Sequence, residues 1–458
     1  MAEITARKRI WGWYFFDWAS QPYHTVLMTF IFGPYFAGVA AEYFLGTGLE
    51  ENLADARAQT MWSWMQALAG LTIALGAPIM GALADTTGRV RPWMAFFSLL
   101  YVTGATLLWF TFPDGSNMWT MLVVFAVGFI GAEYALIFIN SQLPSLGDEK
   151  TVGDISGSGF AFGYIGGLFA LAIMLVFFAE QGSGKTLAGL DPIFGLDADQ
   201  REGTRAVGPF VALWYIVFMV PYFLWVRDTG HKGRATIAGA FRKLGSTLRG
   251  IKGRGSLINF LLGSMLYRDA LNGLYAFGGI YATLVLDWEV TQIGVFGVIS
   301  GLGAAAFSYV GGKADRAFGP KPVVMTAVVT LILVCIVIVN LSRAAIFGVP
   351  LAEGSQLPDV IFIVCGVFIG GMGGTMQAAS RSLMVRHTDP ANPAEYFGLY
   401  GLSGRATAFI APALVGLFTT LSGNVRIGVS PLIALFLVGL VLLALVKPQG
   451  ERIGGSGQ

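Results

Sequence analysis

Gly81-Ala-Leu-Ala-Asp85-Thr-Thr-Gly88-Arg89-Val-Arg91 closes the second long apolar stretch of the chain. Gly311-Gly-Lys-Ala-Asp315-Arg316-Ala-Phe-Gly319-Pro-Lys321 closes the eighth. Both set Gly-x-x-Ala-Asp, then a glycine, then a base, at a tight turn. Asp85 and Asp315 are 230 residues apart. A second echo joins Ser158-Gly159-Phe160-Ala161 to Ser403-Gly404-Arg405-Ala406, 245 residues on. A chain that repeats at half its length consists of two related parts in parallel orientation. Here each part has six apolar stretches, which is a transporter-like organisation around a midplane site.

Composition puts those stretches in lipid. Of 458 residues, 55% are hydrophobic and 12% charged, against roughly 25% charged in soluble domains. The mean hydropathy is +0.66. The runs reach or exceed the roughly 20 residues that cross a bilayer. The predicted helices are 10–41, 60–84, 92–112, 118–144, 155–180 and 207–226, then 256–286, 290–312, 322–345, 358–386, 396–421 and 429–447. The fold class is therefore an all-α membrane protein of 12 transmembrane helices in two pseudo-symmetric six-helix bundles. The bundles are residues 1–226 and 256–447. A basic linker, 227–255, joins them, and a tail, 448–458, follows. Ile237–Ile251 in the linker is a candidate amphipathic surface helix.

Orientation follows from the bases. With the N-terminus inside, only Arg57, Lys185, Arg201, Arg205, Arg343 and Arg426 of the 29 basic residues fall in outer loops. Arg268 and Arg405 lie within helices. This asymmetry places both termini in the cytoplasm. The first run is too long for a signal-peptide core and reads as a retained helix.

Other chemistry is excluded. The chain has three histidines, and its two cysteines, Cys335 and Cys365, lie in separate apolar runs as buried thiols. There is no CxxC, HExxH or P-loop, so neither a metal centre nor an ATPase is expected. No cofactor and no nucleic-acid partner is expected either. The expected partners are a small-molecule substrate, a proton or other coupling cation, and the bilayer.

The glycines, aspartate and arginine of the Gly81–Arg91 turn resemble the loop between helices 2 and 3 of the major facilitator superfamily. In that reading Gly81, Asp85, Gly88, Arg89 and Arg91, with Gly311, Asp315 and Arg316, form a gate in which an aspartate meets a helix N-terminus in one state. Further segments narrow the resemblance. They are Gly12-Trp-Tyr-Phe-Phe-Asp17-Trp-Ala-Ser20, Phe138-Ile-Asn140-Ser141-Gln-Leu-Pro144, Ser156 to Gly167, Leu266-Tyr-Arg-Asp269, Gln377 to Leu383 and Glu395 to Arg405. These are similar to the vacuole-effluxer branch, whose bacterial members are called the unknown major facilitator family. The resemblance runs from the first helix to the eleventh. It implies the major facilitator fold and export of amino acids, in a bacterial inner membrane. This chain departs from the branch by carrying Arg268 where a small or polar residue is usual, which alters the cavity's charge.

A charge in hydrocarbon is costly, so intramembrane ionisable groups mark interior or water-filled paths. In the superfamily, helices 1, 4, 7 and 10 line the path. Here they carry Asp17, Glu133, Asn140 and Gln142 in one half, and Arg268, Asp269, Asn272, Gln377 and Arg381 in the other. Arg405 adds a charge on helix 11. Glu133 lies about 15 residues, roughly 22 Å, into its helix. It is a candidate proton carrier, with a permanently paired carboxylate as the alternative. Asp17 is a gate, or a structural partner of Arg381 or Arg405. Arg268 and Asp269 are adjacent and so face different ways; one meets the cavity and the other a neighbouring helix. Either suits one end of a zwitterion, Arg being suited to a carboxylate. Asn140, Gln142, Asn272 and Gln377 offer orienting hydrogen bonds or join helices. Gly159, Gly163 and Gly167 form a packing ridge. Trp11, Trp13, Trp18, Trp62, Trp64 and Trp93 read as interfacial anchors.

The function expected is secondary transport of a small polar metabolite, with an amino acid and export first, by alternating access. A cation-coupled sugar symporter is the alternative within transport. A non-transporting receptor on the same fold is the alternative outside it, and no helix carries the constellation of an enzyme.

Overall fold

A computed structural model describes residues 5–228, 239, 242, 245, 249–286, 288, 290–407, 409–422 and 424–451. The candidate surface helix at Ile237–Ile251 falls almost wholly outside them. The helices are α1 (Ala6–Pro22), α2 (Phe32–Gly46), α3 (Glu51–Thr87), α4 (Arg91–Leu107), α5 (Met118–Ser141), α6 (Val152–Ile173), α7 (Glu202–Arg205), α8 (Val207–Trp225), α9 (Gly255–Leu286), α10 (Val290–Phe318), α11 (Pro320–Val339), α12 (Leu357–His387), α13 (Pro393–Ala406), α14 (Ile410–Ser422), α15 (Val425–Val429) and α16 (Pro431–Ala444). Among the described residues ten helical segments are long and apolar enough to cross a membrane. The ten omit the 32-residue α9, which holds Arg268 and Asp269, and the helix divided between α13 and α14.

Two helices expected to be continuous are broken, and the same chemistry breaks both. The first runs through a π-helical segment, Tyr23–Phe30, to a bend at Ile31 before α2. The eleventh stops at Ala406 and resumes at Ile410. Pro34 and Pro412 each sit in the first turn of the resumed helix. Proline lacks an N–H and clashes with the carbonyl four residues back, so it fits the first turn of a helix without loss and costs stability further in, as at Pro78 of α3 and Pro221 of α8. The second helix, in contrast, begins at Glu51 rather than near residue 60.

The chain forms two compact units. The first comprises Met1–Gly76, Thr87–Ile139 and Phe162–Gly233; the second comprises Ala77–Thr86, Asn140–Ala161 and Arg234–Gln458. The second unit thus takes in the ends of α3, α5 and α6 that flank the motif turn. In the first unit α8 packs on α1 and α4; in the second, α16 packs on α9 and α11. The repeat seen in sequence is therefore a repeat of packing partners. Gly163, Gly166 and Gly167 let α6 approach α1, lying against Asp17, Trp18 and Gln21.

Apolar side chains face outward along the helices. On α8, Leu213, Val217, Val220 and Leu224 are all at least half exposed, a lipid-facing surface rather than one suited to water. Not every tryptophan is an anchor. Trp13 is fully buried and its indole donates to the Ile139 carbonyl at 2.9 Å. Trp18 stacks on Trp214 at 5.9 Å. Both serve helix packing, because each faces a neighbouring helix instead of the helix end. Cys335 and Cys365 are buried free thiols.

Candidate functional site

At the motif end of the second unit, helices of the first sequence half meet helices of the second. Gly88 ends α3 with φ +63°, and Gly319 separates α10 from α11 with φ +85°. A left-handed conformation favours glycine, so the repeated glycines are a requirement of the turn. Asp85, buried, caps α13. Its Oδ1 accepts from the Ala394 N–H at 3.1 Å and its Oδ2 from the Glu395 N–H at 2.8 Å. The helix dipole favours an anion there. Gly81 makes this possible: a side chain at 81 would strike the Ala394 backbone.

Arg381 forms a second tie, from α12. It is 4% exposed. Its Nε donates to Ser156 Oγ at 3.1 Å, one terminal nitrogen to Asn140 Oδ1 at 3.1 Å, and the other to the Ser156 carbonyl at 2.9 Å. The guanidinium also lies 4.0 Å from the Phe160 ring centroid. A planar fork with separate donors fits this arrangement and an ammonium does not. Ser156 Oγ in turn donates to the Ala378 carbonyl at 2.7 Å. Asn140 and Arg381, proposed from sequence as path residues, thus meet each other.

A third contact joins α6 to α10. Gly157 lies against Gly312 and the Ser308 carbonyl, close enough that a Cβ at 157 would stand 2.6 Å from Gly312 Cα. Asp154 holds Lys313 at 2.9 Å and Arg316 at 3.5 Å. Asp315, 2% exposed, presses its carboxyl against Gly153. Arg89 is exposed. Arg91 instead ties the first unit, donating to the Phe223 carbonyl at 2.5 Å while Asp228 accepts from the Val90 and Arg91 N–H groups.

Inside the first unit, Asp17 and Glu133 are each 8% exposed. His24 Nε2 stands 3.9 Å from Glu133 Oε1. His24 sits in the π-helical segment, a distortion common at functional positions. An acid and an imidazole at this separation can pass a proton through small side-chain movement.

Arg268 and Asp269 divide as adjacent residues must. Arg268, half-buried, lies 4.5 Å from the Tyr400 ring centroid and donates to the Tyr400 carbonyl at 3.3 Å, in the space left by Gly404. Asp269, 3% exposed, accepts from the Ala411 N–H at 2.9 Å and so caps α14. Asp269 therefore secures the broken helix, and Arg268 is the member turned toward partly open space. Asn272, one turn along α9, is exposed; Gln377 and Gln142 are half-buried. Arg405 lies on α13, and its side chain is outside the described residues.

Residues 5–452 match the family described as vacuole effluxer Atg22 like. The chain belongs to that family. It is 25% identical to the uncharacterized MFS-type transporter YxiO of Bacillus subtilis (strain 168), over 96% of this chain and 94% of the relative. It is 24% identical to autophagy-related protein 22-1 of Neosartorya fischeri over 65% of this chain, which spans about half of that longer fungal protein. In fold it is similar to the human organic anion transporter MFSD10, with a TM-score of 0.70 at 14% identity over 96% of this chain and all of the other. The Escherichia coli fucose:proton symporter FucP gives 0.68 at 13% identity, over 97% and 99%. This member of the Atg22-like family is thus a multi-pass membrane transporter of the major facilitator fold.

Sequence reasoning missed His24 and the glycines facing α10. His24 lies seven residues after Asp17, two helical turns along the same face, which was a usable signal. Gly153 and Gly157 have small-xxx-small spacing, one register away from the ridge that was identified.

Proposed function

We propose that this transporter exports a small polar metabolite, an amino acid being the first candidate, by proton-coupled alternating access. The halves 1–226 and 256–447 rock about a central site, joined by 227–255. Both termini face the cytoplasm of a bacterial cell, so the motif turns form the cytoplasmic gate. The observation that carries the reading is the pair of releasable polar ties, Asp85 on α13 and Arg381 on α6. Each joins a first-half helix to a second-half helix through a few hydrogen bonds, as a gate that must open requires. A receptor with no transport cycle gains nothing from them.

Arg268 is the anchor for a substrate carboxylate, with Asn272 orienting the rest, and Glu133 with His24 carries the proton. The family's description as effluxers supports export. The test is transport by purified protein in proteoliposomes, with a panel of amino acids and with fucose and xylose, under an imposed pH gradient. Amino-acid flux driven by the gradient, abolished in Arg268→Ala, is expected. Flux of sugars alone, or of nothing, overturns the assignment.

A further inference from the structure

The two motif aspartates are equivalent in sequence and unequal in structure. Asp85 has two backbone N–H donors. Asp315 is just as deeply buried, against the first turn of α6, and neither carboxylate oxygen has a hydrogen-bond partner among the described residues.

The turn before α6 explains the difference. The 245-residue echo makes Ala394 and Glu395 the counterparts of Glu149 and Lys150. The Lys150 N–H already donates to Asp148 Oδ1 at 3.1 Å, as does the Thr151 N–H at 2.9 Å. The Val152 N–H donates to the Asp148 carbonyl at 3.0 Å and the Ile155 N–H to the Thr151 carbonyl at 3.0 Å. Asp148 is therefore the cap that α6 supplies for itself. It is exposed, and the Thr151 hydroxyl and N–H hold its carboxyl below the usual range.

The charged neighbours of Asp315 are engaged elsewhere. On its own helix Lys313 and Arg316 hold Asp154 of α6. On α12, Arg381 is spent on Asn140 and Ser156. Arg386 donates to the Glu149 and Pro448 carbonyls at 3.2 and 3.1 Å. His387 is bonded to Ser256 and Leu383. From α11, Lys321 donates to the Ala444 and Val446 carbonyls. The nearest polar neighbour of Asp315 is the fully buried Ser382 hydroxyl, and Arg386 acts on it through charge from further off. A carboxylate in a dry site with one hydroxyl as its nearest donor recovers little of its desolvation cost, and a neutral acid avoids that cost.

We propose that Asp315 is a proton-binding site, occupied when α6 and α10 are in contact and emptied when they part. One proton bound to a carboxylate oxygen turns the group into a donor, for which Ser382 Oγ is the acceptor at hand. When α6 withdraws, water reaches the carboxyl and the proton leaves. The closed contact thus carries one proton more than the open one, so it is favoured at low pH and lost as pH rises. The site deepens the proton-coupled reading, but it belongs to the gate and not to Glu133.

The experiment reads conformation in place of transport, so it fails independently of the substrate assignment. Spin labels at Lys150→Cys and Phe318→Cys, both exposed, in a Cys335→Ser/Cys365→Ser background, report the distance between α6 and α10 in nanodiscs from pH 5 to 9. The closed-to-open ratio should fall by up to about tenfold per pH unit across the titration, as loss of one proton requires. Asp315→Asn, a neutral isostere, should stay closed throughout. A ratio independent of pH, or an unchanged profile in folded Asp315→Asn, overturns the proposal. If Asp315→Asn does not fold, Ser382→Ala replaces it. Loss of the one neighbouring hydroxyl should then move the titration, and an unmoved profile counts against the site.

Discussion

Asp85→Asn should release the gate without unfolding the protein. The carboxylate takes two N–H groups at the start of α13, at 3.1 and 2.8 Å, and is 7% exposed. Asparagine keeps one acceptor oxygen and turns an NH2 toward the other donor. One hydrogen bond to a charged group is lost, worth about 1.5–3 kcal/mol. The favourable meeting of charge and helix dipole goes with it, worth about 0.3–1 kcal/mol. Partial relaxation offsets some of this, leaving a net loss of about 2–3 kcal/mol. Each 1.4 kcal/mol is tenfold, so the closed-to-open ratio should fall roughly 30- to 150-fold. The whole effect falls on the closed state, because an open gate leaves residue 85 in water. The Lys150/Phe318 label pair reads the shift as growth of the long-distance population. The melting temperature of the variant should change little if the open form is itself stable. A distance distribution identical to wild type would refute the reasoning. It would mean that Arg381 and the α6–α10 contact hold the gate alone.

Three further outcomes follow from the same geometry. Arg381→Lys should fail to restore what Arg381→Ala loses, since a single ammonium cannot serve Asn140 Oδ1 and both Ser156 oxygens; thermal unfolding in detergent should show both variants destabilised, by about 2–4 kcal/mol for the alanine. Glu133→Gln and His24→Ala should each abolish the response of substrate flux to a pH gradient while exchange at equal pH persists, measured in proteoliposomes. Gly157→Leu should prevent closure, because its side chain would enter the space of Gly312 and the Ser308 backbone; the label pair should then report open protein at every pH.

The legible part of this fold is the part governed by solvation. Lipid imposes length and apolarity, so twelve segments, their repeat and the glycine-aspartate turns can be read from residue types alone. Gly88 and Gly319 were readable for a local reason: only a glycine suits the left-handed turn at both places. Pro34 and Pro412 mark the breaks in the first and eleventh helices, but proline alone does not decide a break, because α3 and α8 run through Pro78 and Pro221. Apolar continuity hid the breaks, because hydropathy does not register where a backbone hydrogen bond is missing.

Partner choice was not legible, and the buried charges show why. Sequence puts Arg268 beside Asp269 and says that they face different ways, but not which partner each takes. In the structure Arg268 goes to the ring and carbonyl of Tyr400, in the middle of α13, and Asp269 to the N-terminal end of α14. A helix N-terminus acts as a partial positive charge, and a sequence pattern does not count it among the ions. Asp85 and Asp315 make the same point from the other side. Their motifs match residue for residue at the glycine and aspartate, yet one carboxylate accepts from two backbone N–H groups and the other from none among the described residues. Asp148, which lies in neither motif, takes the Lys150 N–H, the counterpart of the Glu395 N–H that Asp85 holds. Where a buried charge is balanced by backbone groups, its chemistry depends on which helix end is still unsatisfied when it arrives, and that competition is a property of the packed chain.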